Sequence, residues 1–286
     1  MSTPSAEKSP WVIETTDETF ERDVLERSRE TPAVVDFWSR TCQPCLMLAP
    51  ILEEFAREYD GRFVLVKANV EHAQRRAMEF RVQGVPAVFA VVGGEVVDFF
   101  EGLLPTEHIR RWLDRVLLAA RMYQTRQLEE TDPAEAERRY REMQAAAPNE
   151  ATASIGLARA LLAQQRTDEC REVLERLERR GFLEPEAEKV KAALQLEQCR
   201  DINLDELRAA ADVDPDDLAN RYALAEALAA DNQFQEALDL CLDLVKRDRR
   251  GIGEQARQTM VNIFRVLPED SELTGNYRRK LASALY

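Results

Sequence analysis

The chain has 286 residues, 45% hydrophobic and 32% charged, with a formal net charge of −14, which gives room for about two domains and a sizeable core. Both halves are acidic, which argues against nucleic acid or an anionic membrane as a partner, and no run of 18 or more apolar residues offers a membrane span. The opening, Met1 to Pro10, is polar without an apolar signal core, and five cysteines, odd in number and mostly far apart, fit a reducing compartment, so a cytoplasmic protein is expected.

Residues 1–10 read as a disordered lead, and Trp11-Val12-Ile13 as a short strand. Thr16 or Asp17 is placed to cap a helix running to about Arg29, with Phe20, Val24 and Leu25 on one face and Thr31-Pro32 ending it. The apolar run Ala33 to Phe37 predicts a buried strand that leads into a helix starting at Cys42 and continuing past Phe55, with a kink at Pro50. Phe63 to Ala68 predicts another strand, and residues 73–80 a helix. Val88 to Val92 and Val96 to Phe100, joined by Gly93-Gly94, carry a hairpin signal. A helix from about Glu107 past Leu118 completes a mixed sheet with flanking helices, an α/β domain over 11–117.

Cys42-Gln43-Pro44-Cys45 is the stretch that carries chemistry. A cysteine at a helix N-terminus has its thiolate stabilised by free N–H groups and the helix dipole, which lowers a thiol pKa from about 8.5 to roughly 7 or below. Cys42 is therefore the candidate nucleophile. Cys45, one turn on, is carried on the same face and can attack a mixed disulfide formed by Cys42. A zinc site would need a second pair, and Cys170, Cys199, Cys241, His72 and His108 are scattered without ligand spacing. No metal and no cofactor are expected.

These landmarks resemble thioredoxin over residues 11–117: Val35-Asp36-Phe37-Trp38 before the pair, the pair itself, Pro50, Lys67 in the central strand, Pro86 before the hairpin and Gly102 after it. The resemblance implies a cis Pro86 facing the cysteines, with the neighbouring backbone at Val85 open to an extended substrate strand. It also implies a buried Asp36 with a raised pKa that takes the proton from Cys45, and a Lys67 that modulates this acid. Trp38, Thr41, Gln43, Pro44 and Val85 would form the surface a substrate touches. Thr41 stands where thioredoxins usually have a second tryptophan, and Gln43 where they have glycine, so partner choice and potential are expected to differ.

From about 118 the strands vanish and alanine, leucine, arginine and glutamate recur with helical periodicity. Gly156 to Leu161, followed by Leu174 and Leu177, returns 67 residues later as Ala223 to Leu228, followed by Cys241 and Leu244. Pro148 and Pro215 share that offset, and Ala136 and Cys170 differ by 34. A period near 34 is that of tetratricopeptide helix pairs, so residues 118–286 are expected to form about four degenerate pairs, with a plain helical bundle as the alternative. Cys170, Cys199 and Cys241 read as small buried hydrophobes.

The ending Tyr277-Arg278-Arg279-Lys280-Leu281-Ala282-Ser283-Ala284-Leu285-Tyr286 either caps the last repeat or offers Leu281, Leu285 and Tyr286 to a partner's groove. Together the two halves and this tail resemble the bacterial chaperedoxin family. That resemblance implies a redox co-chaperone that holds unfolded or oxidised clients, protects their cysteines as mixed disulfides and passes them to the GroEL chaperonin through the C-terminal helix. The enzyme alternative is a protein-disulfide reductase, served by thioredoxin or glutathione reducing systems, whose repeats dock particular substrates. A scaffold with a vestigial cysteine pair is the third reading.

Overall fold

The computed structural model describes residues 9–148, 150–197, 203–268 and 270–285. The apolar runs of the first part become strands β1 Val12–Thr15, β2 Ala33–Trp38, β3 Val64–Asn69, β4 Ala87–Val92 and β5 Glu95–Glu101, with helices α1 Gln43–Glu58, α2 Gln74–Glu79 and α3 Thr106–Thr131. The sheet order is β1-β3-β2-β4-β5, parallel among β1, β3 and β2 and antiparallel from β2 through β4 to β5. Gly93 and Gly94 turn the hairpin with φ of +65° and +88°, a conformation that glycine adopts without a Cβ penalty.

Side chains alternate across the sheet, and both faces are covered, which is why β2 and β4 are apolar nearly throughout. Val34, Leu65 and Val88 pack under Leu48, Leu52 and Phe55 of α1 and Ile109 and Leu113 of α3. On the other face Val35, Phe37 and Phe89 meet Phe20, Val24 and Ala77.

Asp17 serves a different helix from the one expected. Its carboxylate accepts the backbone N–H groups of Arg75 and Arg76 at 3.2 and 3.0 Å. The first N–H groups of α2 need an acceptor, and Ala73 at its own cap position supplies no side-chain bond. Upstream, Thr16 takes the Glu18 N–H on its hydroxyl at 3.4 Å and the Phe20 N–H on its carbonyl at 3.0 Å, and helical geometry begins at Phe20, as a π-helical turn Glu21–Glu26 followed by a 3₁₀ turn Arg27–Arg29.

The chain divides into two compact units, Met1–Gln127 and Leu128–Tyr286, so the division falls within α3. Beyond it follow α4 Pro133–Ala146, α5 Ala151–Ala163, α6 Thr167–Glu178, α7 Pro185–Glu197, α8 Leu204–Val213, α9 Leu218–Ala230, α10 Phe234–Arg247, α11 Ile252–Val266 and α12 Glu272–Leu285. This is an all-helical, tetratricopeptide-like arrangement in which α4 to α7 and α8 to α11 pack in sequence, and α12 packs on α10. Small residues bring neighbours close. A Cβ on Gly156 of α5 would stand 2.3 Å from the Tyr140 ring of α4.

α11 packs on α7 as well as on α10, with Arg265 and Glu188 paired at 3.4 Å. Cys170 and Cys241 are fully buried, and burial pushes their thiols up to about 11 and about 12. Cys199 lies outside the described residues.

Candidate functional site

The site forms where β2 ends and α1 begins. Ser39 to Thr41 make a short connection in which the Cys42 N–H donates to the Ser39 carbonyl at 3.3 Å. Cys42 is the N-cap of α1, and Pro44 falls in its first turn, where the missing N–H costs nothing. The Cys45 N–H donates to the Cys42 Sγ at 3.2 Å, so the sulfur occupies the place a serine or aspartate oxygen takes in an ordinary cap.

The two cysteines are joined as a disulfide. Cys42 is half-buried, whereas Cys45 is only 1% exposed, because it continues the inward stripe of Leu48, Leu52 and Phe55. Attack from outside is therefore directed at Cys42. Around it Thr41, Gln43 and Pro44 are exposed, and the next residues, Leu46 and Met47, show apolar side chains to solvent.

Across from the pair, the Val85 carbonyl oxygen lies 3.5 Å from the Cys42 Sγ. The Val85-Pro86 peptide is cis, and the Pro86 carbonyl accepts the Gly102 N–H at 2.8 Å, which ties this turn to the end of β5. Val85 is half-buried and Pro86 buried. The expected surface residues Thr41, Gln43, Pro44 and Val85 thus gather around Cys42.

Beneath them sits a second layer. Asp36 is 1% exposed, and neither carboxylate oxygen has a hydrogen-bond partner among the described residues. Burial pushes its carboxyl up to about 7, the Lys67 ammonium opposes this and Glu53 adds to it. Asp36 and Lys67 are register partners on β2 and β3, yet Lys67 donates to Glu53 of α1 at 2.7 Å. Its Nζ also lies 5.5 Å from the centre of the Trp38 ring. Trp38 is half-buried, with its indole Nε1 shielded and unpartnered among the described residues.

Glu53 was not among the residues expected here. In the sequence it stands beside Glu54 on the polar side of an amphipathic helix, a pattern that a solvated face also produces. The available signal was its position eight residues past Cys45, which returns it toward the inward stripe.

The C-terminal residues belong to the second unit, and of the two readings of this tail Leu281 fits the cap. Leu281 is 8% exposed and part of the core formed with Tyr277 and Ala284, because α12 closes the last repeat with that face. It is therefore not presented outward to a partner. Leu285 is 40% exposed, and Tyr286 lies outside the described residues.

An accessible sulfur at a helix N-terminus, a shielded second sulfur one turn on and a buried acid below define a protein of the thiol–disulfide class. Comparisons with known proteins narrow this. Residues 11–115 match the thioredoxin model, and residues 127–194 and 198–286 each match a tetratricopeptide repeat model. Thioredoxin C-2 of Corynebacterium nephridii is 37% identical over 107 residues, covering 37% of this chain and 97% of its own. Thioredoxin 2 of Chlorobaculum tepidum is 37% identical over 102 residues, covering 36% and 92%. An uncharacterized protein of Mycobacterium tuberculosis is 28% identical over 292 residues, covering 100% of this chain and 88% of its own, so that likeness runs through both units. The chain belongs to the thioredoxin family, with tetratricopeptide repeats following its thioredoxin domain. Among the described residues, no helix is long and apolar enough to cross a membrane.

Proposed function

We propose that this protein is a cytoplasmic redox co-chaperone of the chaperedoxin type. The observation that carries the reading is the access asymmetry of Cys42 and Cys45 in a chain whose other unit is built of protein-binding repeats. Once the Cys42–Cys45 bond has been reduced by a cellular dithiol, the Cys42 thiolate attacks a client disulfide. A Cys42–client S–S bond forms and the second client sulfur leaves as a thiolate. Cys45 then gives its proton to Asp36 and attacks the Cys42 sulfur, which restores the Cys42–Cys45 bond and releases the client as a thiolate. A client sulfenic acid enters by the same attack: the Cys42–client S–S bond forms, the client S–O bond breaks, and the departing hydroxide takes a proton from solvent to become water.

In this reading Trp38, Thr41, Gln43, Pro44 and Val85 receive the client chain, Lys67 adjusts Asp36, and Pro86 fixes the backbone opposite the sulfurs. The helical unit holds the unfolded client, and the exposed end of α12 at Leu285 meets the GroEL chaperonin. Two properties of the site support this. The exposed Leu46 and Met47 offer apolar contact next to the sulfurs, and the shielded Cys45 limits wasteful side reactions.

The test combines three measurements on full-length protein: suppression of aggregation of a denatured client, capture of GroEL, and reduction of insulin. Suppression together with capture that is lost in Leu285→Asp supports the co-chaperone. Brisk insulin reduction with neither suppression nor capture would instead make it a disulfide reductase whose repeats select substrates.

A further inference from the structure

Lys67 has three carboxylates to choose from. Parallel pairing sets it beside Asp36 on β2 and Glu14 on β1, all on the face that α1 covers, and Glu53 reaches it from α1 itself. In a half-buried setting a lysine and a wholly buried aspartate in direct register are the natural ion pair, since an isolated buried charge is costly. The structure shows the other choice. The ammonium is 2.7 Å from Glu53 Oε1, while both Asp36 oxygens are without a partner among the described residues.

We infer that Glu53 is a positioning residue: by pairing with the Lys67 ammonium, it weakens that cation's pull on Asp36 and so sets the pH at which Asp36 exchanges a proton with Cys45. The inference rests on the dithiol reading above and adds the group that regulates it. Glu53 acts twice in the same direction. Its own negative charge disfavours a second negative charge at Asp36, and its ion pair occupies the lysine that would otherwise favour one. The Trp38 ring beside Nζ helps fix the ammonium in this position.

The groups facing Asp36 are few. β3 supplies Lys67, and α1 supplies Glu53 and the inward Cys45. β4 presents the uncharged Val88 opposite Asp36, and Glu14 of β1 stands beyond Lys67. Glu14 is exposed, so its charge is screened by solvent, whereas the Lys67 and Glu53 side chains are 18% and 33% exposed. Removing the charge of Glu53 therefore leaves Asp36 as the better-placed anion for Lys67.

The experiment is a carboxyl ¹³C titration of Asp36 in full-length protein, with the resonance assigned by its loss in Asp36→Asn. In Glu53→Gln the midpoint is expected to fall by about one unit. Lys67→Met, which removes the cation, is expected to raise it, and Glu53→Asp to restore part of the wild-type value. An unchanged midpoint in both Glu53→Gln and Lys67→Met would overturn the inference. The acid limb of insulin reduction should move with the titration in Glu53→Gln and cease to respond to that substitution in an Asp36→Asn background. A response that persists in that background would also overturn it. If wild-type protein reduces no disulfide, the dithiol reading fails, and the titration still decides the role of Glu53.

Discussion

The backbone N–H of Cys45 donates to the Sγ of Cys42 at 3.2 Å, and only Cys42 of the two sulfurs is open to solvent. Cys42 thus both caps α1 and is reachable, and Cys45 sits behind it. Cys45→Ser should leave attack intact and block resolution, so mixed disulfides with client should accumulate severalfold on non-reducing gels. Cys42→Ser should yield none. Accumulation in Cys42→Ser instead would reverse the two roles.

Asp36 ties stability to pH through its burial. Its carboxyl is pushed up to about 7 in the folded protein, against about 3.9 in an unfolded chain. Between these values the folded state keeps a proton that the unfolded state has released, so stability falls as pH rises from about 4 to about 7 and then levels off. Asp36→Asn removes that slope. The variant should resemble wild type near the acid end and exceed it above about pH 7 by a few kcal/mol at most. Trp11, Trp38 and Trp112 all lie in the first unit, so tryptophan fluorescence during urea unfolding reads this unit alone. Equal stability at about pH 8 would show that Asp36 is not held protonated.

The thioredoxin domain was legible because its apolar runs are long, bounded by glycine or proline, and arranged around one cysteine motif. Repeats were legible through their period. What the sequence concealed was long-range polar pairing. Asp17 caps α2 across 58 positions, and Glu53 pairs with the lysine that the thioredoxin resemblance set to modulate Asp36. Such pairs leave no periodic trace, since a carboxylate on a polar face looks the same whether it meets water or a distant lysine. The tail was ambiguous for a related reason. Leu281 and Leu285 are one helical turn apart and read as a single apolar stripe, but the turn nearer the core is the one that is buried.

Gly156 offers a direct test of the repeat packing. The Tyr140 ring lies where its Cβ would be, and Tyr140 is fixed by full burial and by its hydroxyl donating to Glu129 at 2.6 Å. Glu129 is in turn held by Arg159 at 2.8 Å, so the ring cannot easily retreat. Gly156→Ala gains helix propensity of about 1 kcal/mol, yet overpacking of about 1–3 kcal/mol opposes it. A net loss of helical stability by circular dichroism is expected, and it should shrink when Tyr140 is also replaced by Ala. A stabilised single variant would mean that α4 and α5 are farther apart than described.

The two leucines of the last helix separate folding from contact. Leu281 packs with Tyr277, whose hydroxyl donates to Asp239 at 2.5 Å and accepts from Gln235 at 2.6 Å. Cutting the chain after Gly275 would remove this buried tyrosine along with any partner contact, so a truncated protein confounds the two. Leu281→Asp buries a charge without a partner and should lower the helical melting midpoint clearly, in line with the few kcal/mol that such substitutions cost. Leu285→Asp lies at the exposed end and should leave that midpoint within error. If α12 is a contact for GroEL, Leu285→Asp alone should lose capture while the protein stays folded. Capture that survives Leu285→Asp and is lost only when Leu281→Asp unfolds the unit would place the chaperonin contact away from this end of α12.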